Sequence, residues 1–182
     1  MIKRSLLFTA TCIYALGFFA GYILPMFDPT KINGKVDLYA YELPDKSFYD
    51  ILENNLLVIL LIIAGSITFS VLTFINLTSN SIIFGILIKS SLLVGVTLKK
   101  ILILTLPHAI FEIPAIIIAG AAGFKIPYEI IRYLAGKKET ILTKEDIKEY
   151  LTLALISITL IIIAAWIEAN VTLRIAESML KE

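Results

Sequence analysis

The sequence predicts an all-α fold, a polytopic transmembrane helical bundle with about five spans. The chain of 182 residues is 58% hydrophobic and has a mean hydropathy of +0.89, whereas soluble domains are roughly 45–50% apolar. Its apolar residues are gathered into stretches of about 20, the length that crosses a bilayer as a helix. Charged segments at 28–54 and 125–150 separate these stretches. We therefore predict that residues 1–182 form a single integral membrane domain.

Charge and cysteine content exclude some classes of protein. A net charge of +1 gives no basic excess for nucleic acid, so no nucleic-acid partner is expected. One cysteine, Cys12, excludes an intrachain disulfide. The first apolar stretch is too long for a signal peptide and no Ala-x-Ala site follows it, so we predict a retained helix.

Five apolar stretches are the predicted spans. They cover residues 5–27, 56–74, 82–98, 101–124 and 151–173. Pro25 and the Asp28-Pro29 turn end the first, and the polar segment 75–81 is expected to separate the second from the third. The third is the shortest and carries Lys89, whose ammonium group is expected to reach the membrane surface along a tilted helix.

Two prolines interrupt the fourth span. Pro107 can begin a new helical segment, because the first helical position has no partner for its N–H. Pro114 removes a backbone donor and is expected to bend the helix. We therefore predict that the fourth span is broken or kinked by Pro107 and Pro114.

The polar segments predict the topology. Segment 28–54 holds an Asn33-Gly34 turn and ends in a short interfacial helix with Phe48, Ile51 and Leu52 on one face. Segment 125–150 is predicted to be a second polar loop, with six basic and five acidic side chains and a helix start at Thr143.

Basic residues set the predicted orientation. Lys3 and Arg4 favour a cytoplasmic N-terminus. Five spans then place 28–54 outside and 125–150 inside, in a multi-pass protein of the cell membrane. If 82–98 re-enters instead of spanning, four spans result, and more basic residues then lie outside than inside.

The most informative polar residues lie inside the fourth span. His108, the single histidine, and Glu112 are four residues apart and therefore share a helix face. Glu168 in the antiparallel last span is expected at a similar depth. Asn170, Asn54 and Asn55 approach the same level. Because ionisable groups in hydrocarbon are costly unless paired or hydrated, we expect Glu112 to face the bundle interior.

Three interpretations of this polar cluster stay open. It can be a hydrogen-bonded network that holds helices together. It can be a divalent metal site, for zinc or a similar ion, with His108, Glu112 and Glu168 as ligands. It can be a proton or substrate path that uses the carboxyl groups.

Small residues indicate close helix packing. Gly17 and Gly21 form a Gly-x-x-x-Gly motif, and Gly120 and Gly123 frame a second small-residue face. The sequence leaves open whether the first contact lies within one chain or between chains. It contains no His-Glu-x-x-His, Gly-x-Ser-x-Gly or phosphate-loop motif, which favours a non-enzymatic protein.

Three segments carry a family resemblance. They are residues 48–55 (FYDILENN), 107–112 (PHAIFE) with 120–123 (GAAG), and 167–169 (IEA). Together they resemble the stage II sporulation protein M family over residues 48–170, although that family usually has glycine where this chain has Ala109. The resemblance implies a multi-span helical protein without established enzymatic activity. In spore formers, members act as scaffolds that localise peptidoglycan hydrolases, and the family is also widespread in bacteria and archaea that never sporulate.

The leading hypothesis is a self-associating scaffold or assembly protein that docks other membrane or envelope proteins through its two polar segments. A second hypothesis is a metal-binding protein or metal-dependent enzyme built on His108, Glu112 and Glu168, with zinc as the one cofactor considered. A third is a permease subunit, suggested by Lys89 and the proline-interrupted span.

Overall fold

The computed structural model describes residues 3–24 and 47–180, and every element in that part of the chain is helical. The helices are α1 (Arg4–Ile23), α2 (Phe48–Ala64), α3 (Val71–Leu93), α4 (Leu98–Leu134), α5 (Lys144–Ile167) and α6 (Leu173–Leu180), and a π-helical turn (Glu168–Thr172) joins α5 to α6. The all-α prediction is confirmed. The predicted turns at Asp28-Pro29 and Asn33-Gly34 lie outside the described residues.

The helices have the length and composition of membrane spans. Four are long and apolar enough to cross a bilayer, namely Arg4–Ile23, Val71–Leu93, Leu98–Leu134 and Lys144–Met179. Helix α2 has 17 residues, the short end of the spanning range, and it packs against α3, α4 and α5. Apolar side chains such as Phe8, Leu16 and Leu155 point outward, as lipid contact requires. The count of five spans stays a prediction.

Two predicted span boundaries are wrong. Segment 75–81 does not separate spans but lies inside Val71–Leu93. The chain turns earlier, at 65–70, between the end of α2 and the start of α3. Helix α2, with 17 residues, is therefore shorter than the predicted second span, 56–74. Helix α3, with 23 residues, is longer than the predicted third span, 82–98.

Local hydrogen bonds explain why a polar segment stays helical. Asn76 Nδ2 donates to the carbonyl of Leu72 at 2.9 Å, and Asn80 Nδ2 donates to the carbonyl of Asn76 at 2.8 Å. Each amide thus finds a partner one turn earlier on its own helix. The turn itself is formed by Phe69 and Ser70, whose φ angles of 53° and 71° lie in the left-handed region.

Prolines do not end α4. The helix continues through Pro107, Pro114 and Pro127 to Leu134, so the break predicted at Pro107 is absent, while a bend at Pro114 stays a prediction. The predicted interfacial helix is likewise not separate. It forms the first turns of α2, which begins with a capping box between Ser47 and Asp50.

Glycines bring α1 and α3 into backbone contact. A Cβ atom at Gly21 would clash with the carbonyl of Ile82, and one at Gly85 would clash with the carbonyl of Phe18. Gly17 faces the side chain of Ser81 in the same way. The Gly-x-x-x-Gly motif of α1 is therefore used for a contact within the chain.

The second small-residue face packs α4 into the same bundle. A Cβ atom at Gly123 would lie 2.4 Å from the carbonyl oxygen of Ile62, on α2. One at Gly120 would lie 3.1 Å from Ala10 Cβ, on α1. Gly120 and Gly123 thus allow α4 to approach its neighbours closely, as the sequence predicts.

One end of the bundle is held by buried charges, which we call the ionic cluster. Its members are Lys3, Lys125, Glu129, Arg132, Lys138, Asp146 and Glu149. The side chain of Lys125 is 0% exposed. Its Nζ donates to Glu129 at 2.9 Å, Asp146 at 3.0 Å and Glu149 at 2.7 Å. All three donors of the ammonium group are therefore used.

Glu129 and the N-terminal segment complete the cluster. The buried carboxylate of Glu129 accepts from Lys3, Lys125, Lys138 and Arg132. The backbone N–H of Lys3 donates to Glu149 at 2.6 Å. The cluster thus ties the start of α1 to both α4 and α5.

Lys138 joins the cluster from the connection between α4 and α5. It bonds to both Asp146 and Glu129. Burial alone would lower the pKa of Lys138, but these hydrogen bonds to carboxylates raise it above its ordinary value. Lys138 is therefore a permanent cation in this position.

The ionic cluster revises the view of segment 125–150. The segment is mostly helical, comprising the last turns of α4 and the first turns of α5, and α5 begins at the predicted Thr143 cap. Contacts of Lys3 with Glu129 and Glu149 place the N-terminal segment and this hairpin at the same end, as the topology predicts. Which side of the membrane they face stays a prediction.

Replacing Lys125 by Met tests the ionic cluster. We expect the free energy of unfolding to fall by about 3–5 kcal/mol, because the buried carboxylates lose their central cation. Unfolding in mixed detergent–SDS micelles measures the change. The control is Lys137→Met, in an exposed lysine of the connection, which should alter stability little. Equal stability of both variants would contradict the role assigned to Lys125.

Gly21→Ala tests the backbone contact of α1 and α3. The added methyl group has no space against the carbonyl of Ile82, so we expect a loss of about 1–3 kcal/mol in the same unfolding assay. The control is Leu16→Ala, which truncates an outward-facing side chain of α1. A Gly21→Ala variant no less stable than the control would mean that the helices do not meet there.

Candidate functional site

His108, Glu112 and Glu168 line one cleft at the end of the bundle opposite the ionic cluster. The cleft has a volume of about 560 Å³, within the range of small-molecule sites. We call this end the cleft end. His108 precedes Lys125 by 17 positions on α4, which places the two roughly 25 Å apart along the helix axis. The structure therefore brings together the three side chains selected from the sequence.

The His108 ring connects α4 to the π-helical turn. Its Nδ1 lies 3.2 Å from Thr172 Oγ1, and its Nε2 lies 3.9 Å from Glu112 Oε2. The first distance is a hydrogen bond; the second is a longer electrostatic contact. The ring is thereby held at the edge of the cleft, next to the Glu112 carboxyl group.

The π-helical turn shapes the other side of the site. It spans Glu168–Thr172, between α5 and α6. Single π-turns inside α-helices are rare and occur often at functional sites. Here the turn contains both Glu168, which lines the cleft, and Thr172, which binds the His108 ring. No sequence motif predicted the π-helical turn. Thr172 is a site residue that the sequence analysis missed.

Glu112 lies between helices, with 29% of its side chain exposed. It lines the cleft and also a smaller cavity of about 110 Å³, which we call the polar pocket. The polar pocket is lined by Asn54, Asn55, Val58, Asn80, Glu112, Ile116 and Ile161. These residues come from α2, α3, α4 and α5, so Glu112 lies where four helices meet.

The asparagines of the site differ in their roles. Asn54 and Asn55 both line the polar pocket, and Asn54 Nδ2 lies 3.4 Å from Asn55 Oδ1. Asn80 joins them, although the sequence placed it in an inter-span break. Asn170 lines neither cavity; its Nδ2 donates to the carbonyl of Trp166 at 3.0 Å, one turn earlier.

The remainder of the cleft is mostly apolar. Phe84, Leu87 and Ile88 of α3 face Leu104 of α4 across it. Lys100 also lines the cleft and is another residue that the sequence analysis did not assign to the site. The site thus combines two carboxyl groups, an imidazole and an ammonium group with a hydrocarbon wall.

The metal interpretation is not settled by this arrangement. Among the described residues, no group of three or more His, Cys, Asp or Glu side chains is placed to hold a metal ion. The zinc site on His108, Glu112 and Glu168 therefore stays a prediction, as does the permease hypothesis. What the geometry offers directly is a group of charged and polar side chains, both donors and acceptors, in a low-polarity surrounding, where each electrostatic contact is strengthened.

Comparison with known proteins adds a family. The family described as Stage II sporulation protein M matches residues 7–173 of the chain. The uncharacterized protein MJ0793 of Methanocaldococcus jannaschii is 51% identical over 170 residues, which cover 92% of this chain and 94% of that protein. The uncharacterized protein MJ0706 of the same organism is 33% identical over 135 residues, 70% of this chain and 61% of that protein. No solved structure gives a significant match.

Substitutions of Glu112 test its interior position. Glu112→Gln should retain the fold, because glutamine keeps the shape and the hydrogen-bonding capacity. Glu112→Leu should lower the free energy of unfolding by about 1–3 kcal/mol, because it leaves the polar groups around it unsatisfied. The unfolding assay in mixed micelles compares both with wild type.

Reaction with a lipid-soluble carbodiimide provides the control for this test. Glu112 lines the cleft between helices, so it should react more slowly than a carboxyl group in contact with lipid. If the Leu variant is as stable as wild type and Glu112 labels readily, the residue faces lipid and the packing assignment is wrong.

Proposed function

The chain belongs to the stage II sporulation protein M family, and on that premise we propose that it is an integral membrane scaffold or assembly protein. In this proposal it has no catalytic activity of its own. It recruits or localises partner proteins of the membrane or envelope, the role that the resemblance implies for the family. Membership in the family supports a membrane protein; the scaffold role is our proposal.

The observation that carries the proposal is the surface of the α4–α5 hairpin. Leu134 is 74% exposed, Ile131 is 52% exposed and Ile141 is 49% exposed. Leu134 lies nine residues beyond Lys125, roughly 14 Å further from the cleft end. Apolar side chains that project past a layer of charged groups are typical of protein-binding surfaces. We call Ile131, Leu134 and Ile141 the hairpin patch.

The ionic cluster holds the backbone next to the hairpin patch in place. Glu129 lies two residues and Arg132 one residue from Ile131 on the same helix, and Asp146 fixes the first turn of α5. A patch held in a fixed shape loses little conformational entropy on binding, which favours affinity. The hairpin is therefore better suited to docking than a segment without such contacts.

The proposal includes an orientation and self-association. By the positive-inside rule, Lys3 and Arg4 lie in the cytoplasm, and the hairpin patch then faces the cytoplasm too. The cleft end faces the outside. Homo-oligomer formation, and docking through the polar segment that includes 28–46, belong to the same proposal and rest on sequence alone.

Site-specific photo-crosslinking tests the scaffold role. A photoreactive amino acid placed at Leu134 or Ile141 should yield discrete protein adducts in native membranes, because the patch lies against a partner. The matched control is the same probe at Leu155, an outward-facing residue in the candidate membrane span Lys144–Met179, which should label lipid. Leu134→Ser combined with Ile141→Ser should dissociate the complex seen on native gels.

The opposite outcome would be decisive. A chain that stays strictly monomeric in mild detergent and gives no protein adduct from either hairpin position is not a scaffold through this surface.

A further inference from the structure

The two cavities at the cleft end adjoin, since Asn55 and Glu112 line both. They differ in chemistry. The smaller is enclosed by three asparagines and a glutamate, whereas the larger has a hydrocarbon wall. Such a two-part cavity matches a ligand with a polar head and an apolar body. This observation is independent of the scaffold proposal.

The two cavities are lined by two carboxyl groups, those of Glu112 and Glu168, and by one ammonium group, that of Lys100. Asn80 donates one N–H of its Nδ2 to the carbonyl of Asn76 at 2.8 Å, so its side-chain oxygen and its second N–H are the groups it can present to the pocket. Glu112 contributes a carboxyl group to the same space, and Glu168 contributes a second in the adjoining cleft. A head group with several N–H donors and a positive charge complements this set.

The cleft provides room for an apolar body. Phe84, Leu87 and Leu104 line a volume of about 560 Å³, far more than a metal ion occupies. A bare ion would occupy only the polar pocket of about 110 Å³, whereas the cleft has room for an organic molecule. The size and lining of the cleft therefore favour an organic ligand.

We propose that the cleft binds a small amphipathic organic cation, of the primary-amine class. Its ammonium group lies at Glu112 and the polar pocket, with Glu168 nearby, and its apolar body lies along Phe84 and Leu104. His108, held by Thr172, forms the rim beside the head group. The ligand enters from the cleft end, opposite the end that holds Lys3.

Isothermal titration of the purified full-length chain in nanodiscs tests the proposal, with empty nanodiscs subtracted. The probes are hexylammonium, hexanoate, hexanol and zinc chloride. We expect saturable binding of hexylammonium alone. Going from butylammonium to hexylammonium should tighten binding by roughly fourfold per CH₂ group, the factor expected for burial of a methylene.

Variants locate the site. Glu112→Gln and Glu168→Gln should each weaken hexylammonium binding at least tenfold. Glu139→Gln, in an exposed carboxylate near the other end of the molecule, is the matched control and should bind as wild type does. Leu104→Trp fills the cleft without altering a charge and should also abolish binding. This variant keeps the test decisive if a carboxylate variant fails to fold.

Several results would overturn the proposal. Saturable binding of zinc without hexylammonium would assign the site to a metal. Equal binding of hexanol and hexylammonium, or binding that survives both Glu112→Gln and Leu104→Trp, would mean partition into the bilayer. An absence of binding by any probe would likewise exclude an amine site.

Discussion

The rest of the structure depends on one ammonium group, that of Lys125, which is buried among three carboxylates at 2.7–3.0 Å. Removing two or three charges from water costs several kcal/mol each, and the cost is offset only when every donor and acceptor is satisfied. Lys125 meets that condition. Lys3 shares Glu129 Oε1 with Lys125, Lys138 and Arg132 bind Glu129 Oε2, and Lys138 also binds Asp146 Oδ2. Since the partners come from α1, α4 and α5, the charges determine which helices meet and in which register.

This constraint explains how the opposite end can hold an open, polar interior. Close glycine contacts and the ionic cluster fix α1, α3, α4 and α5 along their lengths. The cleft around His108, Glu112 and Glu168 therefore does not need to close for the bundle to hold together. This arrangement is consistent with both proposals. The hairpin patch lies beside the end that the ionic cluster holds, and the proposed amine site lies at the cleft end.

The sequence was informative where a local pattern decides the outcome. Hydropathy predicted the helical membrane fold, and the spacing of His108 and Glu112 selected two side chains that line the same cleft. The sequence failed where hydrogen-bond or ion-pair partners that composition does not show decide the outcome. The polar residues Asn76 and Asn80 led us to predict a break between two helices. Their side chains instead donate hydrogen bonds to carbonyls one turn earlier on the same helix, which composition does not reveal. Segment 125–150 resembled a solvated loop because its charges are as numerous as in a loop, and only the fold pairs them. The π-helical turn at Glu168 has no sequence signal that we could identify.

A double-mutant cycle between Lys125→Met and Glu149→Gln measures the central claim most directly. The pair links α4 to α5 at 2.7 Å, and Glu149 also binds the backbone of Lys3. If the ionic cluster acts as a unit, the two losses in free energy of unfolding are not additive, with a coupling energy above about 1 kcal/mol. Additivity within about 0.5 kcal/mol would mean that Lys125 and Glu149 act independently and would contradict the account.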